Sequence, residues 1–390
     1  MEKQNEQQIT VSAKLFTWMQ EIRQTIHQNP ELALQEAATA AYICAKLDEI
    51  GVTAYKKVTE TGIVADIGNS KRGLTVGLRA DMDALPIQEA TGLSFASTNP
   101  GVMHACGHDG HVAMLLGAAA LLQQMDLSGR VRLIFQPAEE KGNGADMMVQ
   151  AGAIDDLSAI FAGHIDTHFD TGVVTVDEGI ICAYADPFII TLTGKSGHAA
   201  RPHECKDTIV AAAGLITSMQ SIVAREVDPN HAAVITVGKL RAGTILNVVA
   251  GEAVIEGTIR STTPEARNNV ISALKRKVAG NADGYGVKAN LQFPPGLPAV
   301  INSDTAAKFA GMAACAIVQE KNVVSQGPSS LGGEDFAFYQ QKTQGCLVRF
   351  GAKLSDETGH AHSPFFDFDE KVFPIGASWY AEVAQRFLLG

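Results

Sequence analysis

Apolar positions in the first fifty residues fall at helical spacing. Leu15, Trp18, Ile22 and Ile26 share one face, Asn29-Pro30 interrupts the run, and Glu36 to Ile50 reads as a second helix that Gly51 ends. The spacing then becomes strand-like over Gly62 to Ile67 and Leu74 to Ala80. Val112 to Leu122 is apolar on every side, which predicts a buried helix over 112–125. Strands are expected at Val131 to Phe135 and Ala159 to Gly163. Strands alternating with helices predict an α/β sheet covered on both faces.

A different order begins near residue 186. Phe188 to Thr193 reads as a strand and Thr208 to Glu226 as a helix. Two strands follow at Ala233 to Lys239 and Ala253 to Ser261, then a helix at Glu265 to Ala279 and a strand at Val287 to Phe293. This β-α-β-β-α-β order is the split βαβ unit of ferredoxin-like domains. The Pro-rich stretch Phe293 to Pro298 closes it like a linker. Helices at Ser303 to Val318 and Phe373 to Leu388 return the chain to the first pattern. The expected architecture is therefore a discontinuous α/β domain with a central sheet, residues 1–185 and 298–390, carrying an inserted α+β domain at 186–297. A length of 390 residues fits two cores better than one. The polar stretch Met1 to Gln8 is expected to fray, and no internal repeat is visible.

Composition narrows the function classes. The chain is 46% hydrophobic and 19% charged, with a formal net charge of −11 and no basic strip, which argues against a nucleic-acid surface. Apolar runs stop well short of 18 residues and the N-terminus lacks a basic-then-apolar leader pattern, so no membrane partner is expected. Six scattered cysteines fit reduced thiols and a cytoplasmic location.

Candidate chemistry is concentrated in the histidines. Nine of the eleven fall into four clusters, at 104/108/111, 164/168, 198/203 and 360/362. Cys106 and His108 flank Gly107, a flexible joint that lets a thiolate and an imidazole converge on a borderline-soft divalent ion. Asp81 and Asp83, Glu139-Glu140 and His164 each follow a predicted strand, and ligands of α/β folds gather at the carboxyl ends of strands. Adjacent carboxylates repel unless they divide the work, one binding metal while the other accepts a proton. Each feature alone has a plainer explanation, such as a core cysteine, a solvated acidic pair or a capped turn. Their convergence carries the metal reading. Redox chemistry at Cys106 fits poorly, because no second cysteine lies nearby to resolve it.

These residues resemble the aminoacylase/carboxypeptidase-type dinuclear metallohydrolases, in the amidohydrolase branch with hippurate hydrolases, N-acyl-amino-acid deacylases and auxin-conjugate hydrolases. The resemblance runs through Ile26-His27-Gln28-Asn29-Pro30-Glu31-Leu32, Arg79 to Pro86, His104 to Asp109, Gln136 to Glu140, Gly197 to Ala200, Asn247-Val248, Gly332 to Phe336 and His362-Ser363-Pro364. It implies that Cys106, His108, Glu140, His164 and His362 hold two divalent ions (Zn, Mn, Co or Ni), with Cys106 or a water between them. It implies Glu139 as general base and His198 as the group polarising the scissile carbonyl, in some relatives delivered by a partner's lid. Asn247 and Arg260 are implied to hold substrate and Asp83 to orient the ligands from behind; Asp109, beside His108, is expected to be supporting or structural. Asp81 stands where other branches place a ligand histidine.

The implied reaction is hydrolysis of an N-acyl-amino acid (N-acetyl, benzoyl or arylacyl) by metal-activated water that loses its proton to Glu139. The implied assembly is a homodimer through the inserted lid, or a higher homo-oligomer. A dipeptidase or glutamate-releasing carboxypeptidase with the same site is the competing enzyme. A binding protein using the lid as an interaction surface competes from another class and would be favoured by missing ligands.

Overall fold

The computed structural model describes residues 9–69, 71, 73–327, 330–355 and 358–390; Met1 to Gln8 lie outside them. Two compact units emerge. The first comprises Met1–Ile181, Ile301–Pro328 and Asp335–Gly390, the second Cys182–Val300 and Ser329–Glu334. The second unit extends a few residues past the expected 186–297 insert at each end, since the strand that opens it starts at Tyr184 and Ala185 pairs with Leu297. It also takes in Ser329–Glu334 from the stretch expected in the first.

The first unit is built on an eight-stranded sheet. Its order is Tyr55–Lys57, Ile63–Gly68, Arg130–Gln136, Thr75–Asp81, Ala159–Asp170, Gly345–Lys353, Val174–Thr175 and Val323–Val324. The four strands from Arg130–Gln136 to Gly345–Lys353 run parallel. Thr75–Asp81 is buried at every position, as a strand covered on both faces must be. Helices α1 (Ala13–Gln28) and α2 (Ala37–Glu49) match the apolar spacing closely. Helix α3 (His108–Leu122) starts four residues before its apolar run. Gly107 precedes it at φ 96°, a left-handed conformation that glycine adopts without a Cβ penalty. One hydrophobic core surrounds α3, drawing on α1, the sheet and the last helix, Val372–Leu389.

The second unit has its own core and a four-stranded antiparallel sheet ordered Ala233–Ala242, Glu252–Ser261, Tyr184–Thr193, Lys288–Gln292. That order is the ferredoxin-like one. Helix Thr208–Glu226 is long and apolar enough to cross a membrane, yet Ala211, Ala212, Leu215, Met219 and Ile222 bury its apolar side in this core. A two-stranded ribbon pairs His198 with Val248.

Candidate metal centre

Three parallel strands carry the expected residues, two at or just past their carboxyl ends and one in mid-strand. Asp81 ends one strand, the Glu139-Glu140 turn follows another, and His164 lies on a third. Cys106 and His108 reach the same place from the joint at Gly107. Among the groups of ligand atoms lying within 4.8 Å of one another, three are built from the expected ligands and base: Cys106, His108 and His164; Cys106, Glu140 and His362; and His108, Glu139 and Glu140. Asp81, His108 and His111 form another. Cys106 belongs to two of the sets, so its thiol sits between two clusters. All five expected ligands and the expected base are therefore brought together within the first unit.

Hydrogen bonds orient each group. The Nδ1 of His108 donates to the backbone carbonyl of Asp83 at 2.9 Å, leaving Nε2 without a hydrogen-bond partner. The Nδ1 of His164 donates to the carbonyl of Ile165 at 2.6 Å, and its Nε2 lies 3.5 Å from the Cys106 Sγ. Burial and the neighbouring His111 hold the pKa of His164 well below its usual value, so the ring is neutral. Metal-ligating histidines are characteristically fixed in this way through the other ring nitrogen. The Asp83 side chain orients the acidic pair as well. Its Oδ1 and Oδ2 accept the N–H groups of Glu139 and Glu140, each at 3.0 Å.

The turn before the acidic pair is held open against its own preference. Ala138 adopts φ 55°, and its N–H donates at 2.9 Å to the buried carboxylate of Glu36, which also accepts from Leu34 and Thr61. Gly144 returns so close that a Cβ there would lie 1.6 Å from the Pro137 carbonyl oxygen. On the far side His362 also has a left-handed backbone, φ 65°, and donates its N–H to Ala105 at 2.7 Å. Non-glycine residues in that region persist where surrounding contacts enforce them, often at functional sites.

Within the clusters, two buried atoms have no hydrogen-bond partner: Nε2 of His108 and Oε1 of Glu140. The His362 Nε2 approaches that Oε1 to 3.3 Å without hydrogen-bond alignment. Orphaned buried polar atoms are costly, and these two belong to residues of the clusters. A thiol, three imidazoles and a carboxylate fit borderline divalent ions, and a cation would satisfy both orphans. Burial pushes the Cys106 thiol upward, opposing ionisation until a cation compensates it.

Other expected residues have different surroundings. Asp81 accepts from His111 Nδ1 at 2.5 Å and Arg79 at 2.7 Å, with His108 Nε2 at 3.6 Å. His111 in turn accepts the Ile165 N–H through Nε2 at 2.9 Å, so both its nitrogens are committed. Asp109 meets Arg23, His27 and the N–H of Gly110 rather than a side chain of the clusters. His198, Asn247 and Arg260 belong to the second unit. There Ala200 N–H donates to His198 Nδ1 at 3.0 Å, which places the proton of a neutral ring on the exposed Nε2. Ala199 N–H donates to the carbonyl of Asn247 at 3.0 Å, joining the two segments. Arg260, on the strand Glu252–Ser261, has Gly333 beside its guanidinium.

Sequence reasoning missed the buried charge network behind the clusters. Arg79 donates to Gln136, Asp81 and Asp335, and Asp335 also accepts from Gln136 and Ala145. The available signal was the position of Arg79 inside an otherwise apolar strand.

Comparison with known proteins gives this geometry its context. Residues 77–386 match the model of peptidase family M20/M25/M40. The chain belongs to that family. It is a metallopeptidase-type amidohydrolase. It is 39% identical over 366 residues to an N-acetylcysteine deacetylase of Bacillus subtilis (strain 168), covering 93% of this chain and 95% of that protein. It is 38% identical over 382 residues to the IAA-amino acid hydrolase ILR1-like 5 of Arabidopsis thaliana, covering 96% and 87%. The crystal structure of the Bacillus subtilis YXEP protein, described as a dinuclear metal binding peptidase of the M20 family, superposes with a TM-score of 0.85. The identity there is 36%, over 97% of this chain and 99% of that one.

Proposed function

We propose that the chain hydrolyses the amide bond of N-acyl-amino acids with two divalent ions held by Cys106, His108, His164, Glu140 and His362. The membership of Cys106 in two of the three-residue sets is the observation that carries this reading, since a shared thiolate suits a bridged pair. Bound ions of this kind lower the pKa of coordinated water and polarise a carbonyl. Glu139, beside His108 and Glu140, accepts the proton of the attacking water and returns it to the leaving amine. Asp83 keeps Glu139 at that station through its backbone N–H. His198, with its proton on Nε2, donates to the oxygen that becomes negative. Asn247 and Arg260 hold the acyl oxygen or the substrate carboxylate.

The named deacetylase and conjugate-hydrolase relatives support an N-acyl-amino acid over a dipeptide. Metal-stripped protein reloaded ion by ion (Zn, Mn, Co, Ni) and offered N-acetyl, hippuryl, indole-acetyl and p-aminobenzoyl amino acids beside dipeptides tests this. Metal-dependent turnover of an N-acyl class is the expected outcome; turnover of dipeptides alone would replace it with the dipeptidase reading.

We also infer a homodimer through the second unit. Among the described residues its strand Ala233–Ala242 is an edge of the four-stranded sheet, and Leu240 on it and Ile245, Leu246 and Val248 after it in the chain stand exposed, Leu246 at 97%. The six free thiols support a reducing compartment such as the cytoplasm.

A further inference from the structure

The charge cluster formed by α1 is left unused by the reaction. Arg23 is 1% exposed and reaches three carboxylates: Asp109 at 3.2 Å through Nε, Asp367 at 2.6 Å through Nη2 and Glu370 at 3.0 Å through Nη1. Its guanidinium lies between the rings of Phe95 and Phe368, 4.8 and 4.2 Å from their centroids. His27, one turn along α1, holds the same Asp109 oxygen at 2.8 Å and Glu89 at 3.3 Å. Asp109 directly follows His108, whereas Asp367 and Glu370 lie on the segment that follows His362. One guanidinium therefore joins the two pieces of chain that carry opposite halves of the cluster.

The halves are not equally secured. His108 and His164 are each fixed through Nδ1 to a backbone carbonyl within the fold. The His362 side chain is 55% exposed, and its segment is held by the His362 N–H to Ala105, by the Pro364 carbonyl accepting from Ala90, and by buried Phe366 and Phe368. It is held too by Asp367 and Glu370, the acids that Arg23 binds, Glu370 also accepting from Gln20 and Gln24. We propose that Arg23 is a positioning residue that sets His362, and with it the ion on the Cys106–Glu140–His362 side, while leaving the Cys106–His108–His164 side unaffected. This rests on the two-ion reading above. A lysine cannot replace it, because a single ammonium lacks the planar fork that meets three carboxylates at once.

The test is Mn²⁺ titration of metal-stripped full-length protein by calorimetry, with turnover measured at each Mn²⁺ concentration. In Arg23→Lys the first Mn²⁺ should bind as in the wild type and the second about 10–100-fold more weakly, the usual cost of losing a group that orients a ligand. Turnover should fall at low Mn²⁺ and recover at high Mn²⁺, with KM unchanged. Asp367→Ala removes the acceptor at the more exposed end of the same connection and should show the same split, so it decides the matter where Arg23→Lys does not fold. A lower melting temperature with both Mn²⁺ affinities unchanged, or both weakened alike, overturns the proposal. A wild-type protein that takes up fewer than two Mn²⁺ overturns the two-ion reading itself, a distinct result.

Discussion

Asp83 shows how much one buried carboxylate organises. It accepts two consecutive N–H groups at the acidic turn, and its own carbonyl fixes His108. In Asp83→Ala both N–H groups lose their partner, at about 1–3 kcal/mol for each that stays buried. Lower metal content and a lower melting temperature should appear together. Glu139→Gln should behave differently, because a carboxamide keeps the shape but cannot take a proton. Metal content by elemental analysis should match wild type while kcat falls about 10²–10⁴-fold; near-normal turnover would remove Glu139 from its role. Residue types made Cys106, His108 and the Glu pair legible in the sequence, because few other functions need them so close together. The left-handed Ala138 was not legible, since alanine gives no hint of positive φ and the Glu36 contact that enforces it comes from over a hundred residues away. Arg23 was legible in principle: it sits with Met19, Ile22 and Ile26 on the buried face of α1, where a charge needs partners.

Elements place these residues by two devices, a strand end followed by a tight turn and a helix entered through a glycine. The turn 137–144 depends on the absence of a side chain at Gly144, where a Cβ would collide with backbone that cannot yield cheaply. Gly144→Ala should therefore displace the Glu139-Glu140 turn, costing more than about 1 kcal/mol in stability and most of the activity. Thermal unfolding and turnover check the two effects. The insert was legible because its spacing changes period and its element order is that of a known unit. The true start of α3 was not, because His108 to His111 look like a polar loop in sequence. They are buried in the structure, where the Asp83 carbonyl takes the Nδ1 of His108, Asp81 and Ile165 engage both nitrogens of His111, and Arg23 and His27 hold the aspartate. Strand Ala159–Asp170 likewise runs beyond the apolar stretch, carrying His164 within it rather than after it.

At the scale of the whole molecule, the buried network couples stability to pH. Burial opposes a charge on His27, but hydrogen bonds to Asp109 and Glu89 outweigh it and raise its pKa from 6.5 to about 9. The folded protein thus holds this proton more tightly than the unfolded chain. That stabilisation is complete below about 6.5 and is lost as pH rises through about 9. Glu89 works from the other side: burial would raise it, yet His27, Thr91 and Ser97 lower it from 4.5 to about 2. Its contribution stands above about 4.5 and disappears as pH falls through about 2. The melting temperature should therefore decline between pH 6.5 and 9.5, and His27→Gln should flatten that decline. Binding of ions by the folded state alone should add about 2.7 kcal/mol at a hundredfold excess over Kd, so chelation should lower the melting temperature as it removes activity.

The central claim is a pair of ions sharing Cys106, and anomalous diffraction from crystals of the metal-loaded protein tests it most directly. The expected map has two peaks roughly 3.5–4 Å apart, one against His108 and His164, the other against Glu140 and His362, with the Cys106 sulfur between them. A single peak, or two peaks neither of which touches Cys106, would contradict it.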